Sequence, residues 1–240
     1  MILQKLVDAI REQNWSTVIL EILIVVVGII IGLQVDGWNE DRKDRIEEQI
    51  ILDRLATEIS IAIEDVRNDI VQLESRTSDI AYVIAMLEEG SSPKSRDLRF
   101  INGIIGAARI ELPFSGLATI RELQNTGKIT LILNGDVRAA ISAAEDTYRK
   151  AELYTGFVTV RLVPLSAVVD SYVRRVGNEL DGTMSLEYDF AELSTAREFR
   201  FALGNLGSFL TDNKVWMQQH LSSLEDLQST LAAASDKATR

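Results

Sequence analysis

WSTVILEILIVVVGIIIGLQVDGW, Trp15 to Trp38, is the stretch whose reading decides the fold. Trp38 lies 23 positions after Trp15. At about 1.5 Å per residue a helix over that length rises roughly 35 Å, enough to cross a hydrocarbon core of about 30 Å with some tilt. The two tryptophans stand where the interfacial aromatic belts of a membrane would lie. Between them, Ile22 to Leu33 is apolar throughout, interrupted only by Gly28 and Gly32. The alternative is a buried core helix, but a helix of a water-soluble protein should show a polar stripe and this run has none. A cleaved signal peptide would need a small-x-small site after its apolar region, and Leu33-Gln34-Val35-Asp36-Gly37 lacks one. The stretch therefore reads as one membrane-spanning helix, residues 15–38, with Trp15 and Trp38 as interface anchors.

One face of that helix is unusual. Glu21, Val25, Gly28, Gly32 and Asn39 recur at spacings that place them on a common stripe. Gly28 and Gly32 form a GxxxG, which lets two helix backbones approach closely. A carboxylate left in lipid costs a few kcal/mol unless it reaches the interface or is protonated. The face reads as a site of helix–helix association. The competing reading has Glu21 snorkelling to the near interface beside an incidental GxxxG.

Upstream, residues 1–14 place Leu3, Leu6, Val7 and Ile10 on one face and Lys5, Asp8, Arg11 and Glu12 on the others. This pattern predicts a short amphipathic helix in the membrane interface. Lys5 and Arg11 on the near flank are nearly matched by Arg42, Lys43 and Arg45 on the far flank. The charge rule therefore barely orients the span. A short tail before an apolar span behaves as a signal-anchor, which favours a single-pass protein with its C-terminal domain outside the cytoplasm.

Downstream, residues 39–89 predict a long coiled-coil-like helix. Ile46, Leu52, Leu55, Ile59, Ala62, Val66, Ile70, Leu73, Thr77, Ile80, Ile84 and Leu87 recur mainly at gaps of three and four. Its charged start, Asn39 to Glu48, reads as a solvated collar. Gly90 to Ser95 is a breaker cluster. Residues 90–135 read as short helices and loops: a helix over 96–110, a loop to Gly116, and a helix over 117–125 with Gly127 as its C-cap. Lys128 to Leu133 reads as a strand or a buried turn. Residues 136–240 complete the bundle with a helix over 136–180, kinked at Pro164, a loop to about Leu193, and a last helix. Thr195-Ala-Arg-Glu198 has capping-box spacing at the start of that helix. Phe199, Leu203, Leu206, Leu210, Asn213, Met217, His220, Leu224, Leu227 and Leu231 form its near-heptad stripe. The expected fold is all-α: an N-terminal transmembrane helix continuing into a long amphipathic helix, with a helical-bundle extramembrane domain.

The anchor and collar, EILIVVVGIIIGLQVDGWNEDRKDR from Glu21 to Arg45, are similar to the start of a family of uncharacterised bacterial single-pass membrane proteins. FSGLATIRELQNTGKITLILNGDVRAAI, Phe114 to Ile141, resembles that family's internal motif, while the last helix agrees only in character. Gly32 stands where the family often has alanine, which keeps the small-residue face. The resemblance implies a place and a topology and carries no chemistry.

Composition narrows the function classes. The formal net charge of −11 argues against nucleic acid as a partner and against peripheral binding to anionic lipid. Cysteine is absent, which removes disulfides, thiolate metal sites and cysteine nucleophiles. The single histidine, His220, falls on the apolar stripe of the last helix and reads as a satisfied core residue. No phosphate loop, HExxH, nucleophile elbow or EF-hand loop occurs, and Asp181 to Glu187 lacks calcium-loop spacing. No enzyme activity and no cofactor is expected. Membrane lipid and further copies of the chain are the expected partners, with another membrane protein as a further candidate. The functional reading is a membrane-anchored oligomeric helical scaffold or accessory subunit. The alternatives are a ligand-binding sensor signalling through the anchor, and a subunit of an ion- or proton-coupled complex using Glu21.

Overall fold

The computed structural model describes residues 15–94, 97–109, 117–177 and 184–238. The interfacial helix expected over 1–14 lies outside the described residues. The chain divides into two compact units, residues 1–50 and 51–240. Six α-helices occur among the described residues: α1 (Trp15–Glu89), α2 (Leu98–Gly106), α3 (Ala118–Thr126), α4 (Gly135–Tyr172), α5 (Phe190–Thr195) and α6 (Arg197–Ala238). The class is all-α, as the periodicity predicts.

Among the described side chains of the first unit, none on α1 is buried. Ile24, Val25, Ile29 and Leu33 are 61%, 60%, 58% and 68% exposed.

The second unit is a bundle of α1 (from Ile51), α4 and α6. Its core on α1 is Ile51, Leu55, Ile59, Ala62, Ile63, Val66, Ile70, Leu73, Ile80, Val83 and Leu87. Ile46 belongs to the predicted stripe but is exposed, while Ile51, Ile63 and Val83 join it. A stripe drifts around a straight helix, so neighbouring apolar positions exchange the inward role. On α6 all ten residues of the predicted stripe are buried. Pairings across α1 and α6 run in opposite sequence directions: Ser60 with Gln228, Arg67 with Glu225, Glu74 with Lys214. The same holds for α4 and α6, where Tyr148 meets His220, Tyr154 meets Trp216, and Tyr172 meets Phe199. Thus α6 is antiparallel to both.

The connectors attach by named polar contacts. Asp97 caps α2, its Oδ1 accepting the amides of Arg99 and Phe100 at 3.1 and 3.2 Å. The Tyr82 hydroxyl donates to its other oxygen at 2.8 Å. Gly103 sets α2 against α1 so closely that an added Cβ would lie 2.6 Å from the Asp79 carbonyl oxygen. Glu58 accepts from the Thr119 amide and hydroxyl at 3.1 and 2.8 Å, and so receives the start of α3. Gly127 ends α3 at φ +71°, the left-handed cap expected of glycine there. Lys128–Leu131 is a 3₁₀ turn with no buried residue of its own, and Ile132 behind it is fully buried, so the segment is neither the expected strand nor a turn buried throughout.

Three expectations are corrected. The helix predicted over 136–180 begins at Gly135 and ends at Tyr172, running through Pro164. It is followed by strands β1 (Val173–Gly177) and β2 (Met184–Tyr188), antiparallel, with Val173 opposite Tyr188 and Arg175 opposite Leu186. Strand β1 falls within the expected helix and β2 within the expected loop; Met184–Tyr188 alternates in polarity, whereas Val173–Gly177 carries two adjacent arginines. Val173 is buried, and Leu186 and Tyr188 are half-buried against the core, while Arg174 and Glu187 face solvent and pair at 3.4 Å. The Phe100 ring lies 5.2 Å from that of Tyr188. The Thr195 capping box does not form. Thr195 ends α5, its hydroxyl lying 3.0 and 3.1 Å from the carbonyls of Ala191 and Glu192, and Asp189 caps the start of α5 instead. Thr195 belongs to the last turn of α5 and Ala196 stands between it and α6, so its hydroxyl is turned back to the preceding helix and does not reach the next one. The helix expected over 96–110 is the shorter Leu98–Gly106.

Candidate functional site

Two places in the molecule carry unusual chemistry, one in each unit. The first is the predicted association face. Glu21, Val25, Gly28, Gly32 and Asn39 all lie within the helical part of the first unit and are exposed. A Cβ built on Gly28 or Gly32 would meet nothing within 4 Å. Trp38 is 69% exposed; the side chain of Trp15 lies outside the described ones. The backbone groups of this segment are satisfied within the helix, which is what lipid demands of a spanning element. Helix α1 is long and apolar enough to cross a membrane, and the apolar window falls in its exposed N-terminal part. The same measure picks out α4, but its inward side chains Val158, Leu162 and Val169 are buried in the bundle.

The second place is a cavity of about 180 Å³ in the second unit, between α1, α3, α4 and α6. Ala62, Leu117, Ile120, Ala144 and Leu224 supply an apolar wall, all of them buried. Arg121, Glu145, Tyr148, Arg149 and Glu152 complete it, all partly or fully exposed. Glu145 also accepts from the Gln124 amide. His220 belongs to the same wall and is 4% exposed. Its ring centroid is 5.9 Å from that of Tyr148. Burial pushes its pKa down to about 4, so the imidazole is neutral at pH 7. Its Nδ1 is enclosed and has no hydrogen-bond partner among the described residues.

The sequence places His220 correctly in the core and misjudges its satisfaction. Burial follows from periodicity, whereas a partner for Nδ1 depends on which side chains α4 and α3 bring to the same depth. Tyr148, Arg149 and Glu152 give no signal in the sequence; their spacing on α4 only shows that they share a face.

Two further titrating groups mark the bundle's polar seams. Burial, followed by Asp212 beside it, raises Tyr154 to about 12. Burial acts to raise Asp97, but the hydrogen bonds from Tyr82, Phe100 and Arg99 outweigh it and hold the carboxyl below its ordinary range.

No family model, curated protein or solved structure matches this chain.

Proposed function

We propose that the chain is a membrane-anchored helical scaffold or accessory subunit that assembles with further copies of itself through the Glu21–Gly28–Gly32 face. The observation that carries this reading is the contrast within the first unit: an apolar run with every described side chain exposed, and a glycine face open to a second backbone. In water such a surface is a large association liability, whereas in a bilayer it is the ordinary lipid-facing surface of a span. Two glycines one turn apart favour a partner helix, and a partner shields Glu21 from lipid. In this reading the span is single-pass in a bacterial inner membrane, and the second unit is periplasmic.

The test is crosslinking of the full chain in membranes. Gly28→Ile together with Gly32→Ile should abolish the crosslinked oligomer, while Gly28→Ala with Gly32→Ala should largely keep it. An oligomer undiminished by the isoleucines refutes the face. Protease added to spheroplasts should digest the second unit, and full protection reverses the orientation.

A further inference from the structure

The His220 cavity in the second unit combines a buried polar group with open space beside it. A neutral imidazole has one donor and one acceptor nitrogen. A buried polar group left without a partner is destabilising unless something else meets it. His220 is 4% exposed with its Nδ1 enclosed and unpartnered, and its ring forms part of the cavity's wall. The void is not lined as a site for an ion. Its enclosed wall is Ala62, Leu117, Ile120, Ala144 and Leu224, which would strand a charge. The charged residues at its edge are two arginines and two glutamates, which cancel. The size is also informative. An apolar cavity of about 150 Å³ holds a benzene ring, and this one is about 180 Å³.

We propose that this cavity binds a small uncharged molecule of one aromatic ring's size bearing a hydroxyl, with the ring against the apolar wall and the hydroxyl hydrogen-bonded to His220. A hydroxyl both donates and accepts, so it satisfies whichever ring nitrogen meets it. The Tyr148 ring, half-buried beside His220, forms an aromatic neighbour for the ligand. This site is independent of the assembly proposed for the anchor, since every residue lining it belongs to the second unit.

The chain has one histidine, so ¹³C-labelled histidine yields one Cε1 signal, that of His220. The full chain in lipid nanodiscs is titrated with phenol, and with toluene as the probe of the same shape lacking a hydroxyl. Phenol should shift the signal saturably and bind about two- to tenfold tighter than toluene, the ratio expected for one added hydrogen bond. Ala144→Phe, which fills the void, should abolish the phenol shift. A shift that does not saturate, no shift, or equal affinity for phenol and toluene overturns the proposal and leaves a cavity holding water. Should Ala144→Phe fail to fold, the phenol-to-toluene ratio on the unaltered chain decides the matter alone.

Discussion

Ile29 and Ile59 sit on the same helix and are the same side chain, yet Ile29 is 58% exposed and Ile59 is fully buried. The difference lies in their neighbours along the sequence. Around Ile29 every face is apolar, so no direction is inward. Around Ile59 the apolar residues recur every three or four positions, with Arg54, Asp53, Glu58 and Glu64 between them. The first pattern suits a solvent that is apolar on all sides, and the second suits water on one side and a bundle on the other. One helix thus carries two instructions, and the charged collar from Asn39 to Glu48 is where they change over.

The largest expected effect is the sharpest way to break that comparison. Leu55→Ala, at a fully buried position, should destabilise the second unit by about 2–5 kcal/mol through lost burial and a residual void. Val27→Ala, at a comparably apolar but 44% exposed position, should leave that unfolding transition unmoved. Urea unfolding of the full chain in nanodiscs, followed by Trp216 fluorescence, measures both. Equal losses would mean that the two segments share one cooperative core.

Next is the pH response of the buried imidazole. His220 has a folded pKa of about 4 against an ordinary 6.5. Between those values the unfolded chain binds more protons than the folded one, so stability rises with pH. The contribution is complete above about pH 6.5, declines as pH falls, and is gone below about pH 4. At about 1.36 kcal/mol per unit, the difference amounts to about 3 kcal/mol. His220→Leu should flatten this part of the unfolding profile between pH 4 and 6.5 relative to the unaltered chain. An unchanged slope would place the histidine in water rather than in the bundle.

Smaller again is the junction of α2. Asp97→Ala removes a helix cap and the acceptor of the Tyr82 hydroxyl, and should cost about 1–2 kcal/mol in the same unfolding measurement. Asp97→Asn should recover much of that loss, because its amide oxygen still accepts from the helix amides.

The smallest effect belongs to the surface pairs. Arg67 and Glu225 meet at 2.6 Å, but their side chains are 60% and 44% exposed. Arg67→Ala should cost less than about 1 kcal/mol, and raised salt should erase the difference. A larger loss would show that the antiparallel register of α1 and α6 depends on that pair rather than on the apolar seam.

What was legible in the sequence is what a single chain's periodicity encodes. The exposed apolar span, the breaker cluster after Glu89, the glycine cap at Gly127 and the ten-residue inward stripe on α6 follow from spacing and backbone chemistry, because each depends on residues within a few turns of one another. Strand β2 was there to be read in the alternating run Met184 to Tyr188 just after Asp181-Gly182, the dipeptide that favours tight turns, but Val173-Arg-Arg-Val176 does not alternate and suits a helix end. Its strand form follows from placing Tyr188 against Phe100, a contact between residues 88 positions apart. The same limit applies to His220. Its depth is set by the stripe on its own helix, while the void beside it and its unpartnered nitrogen are set by how α1, α3 and α4 pack around it. Periodicity specifies which face turns inward, and only the tertiary structure decides what that face meets.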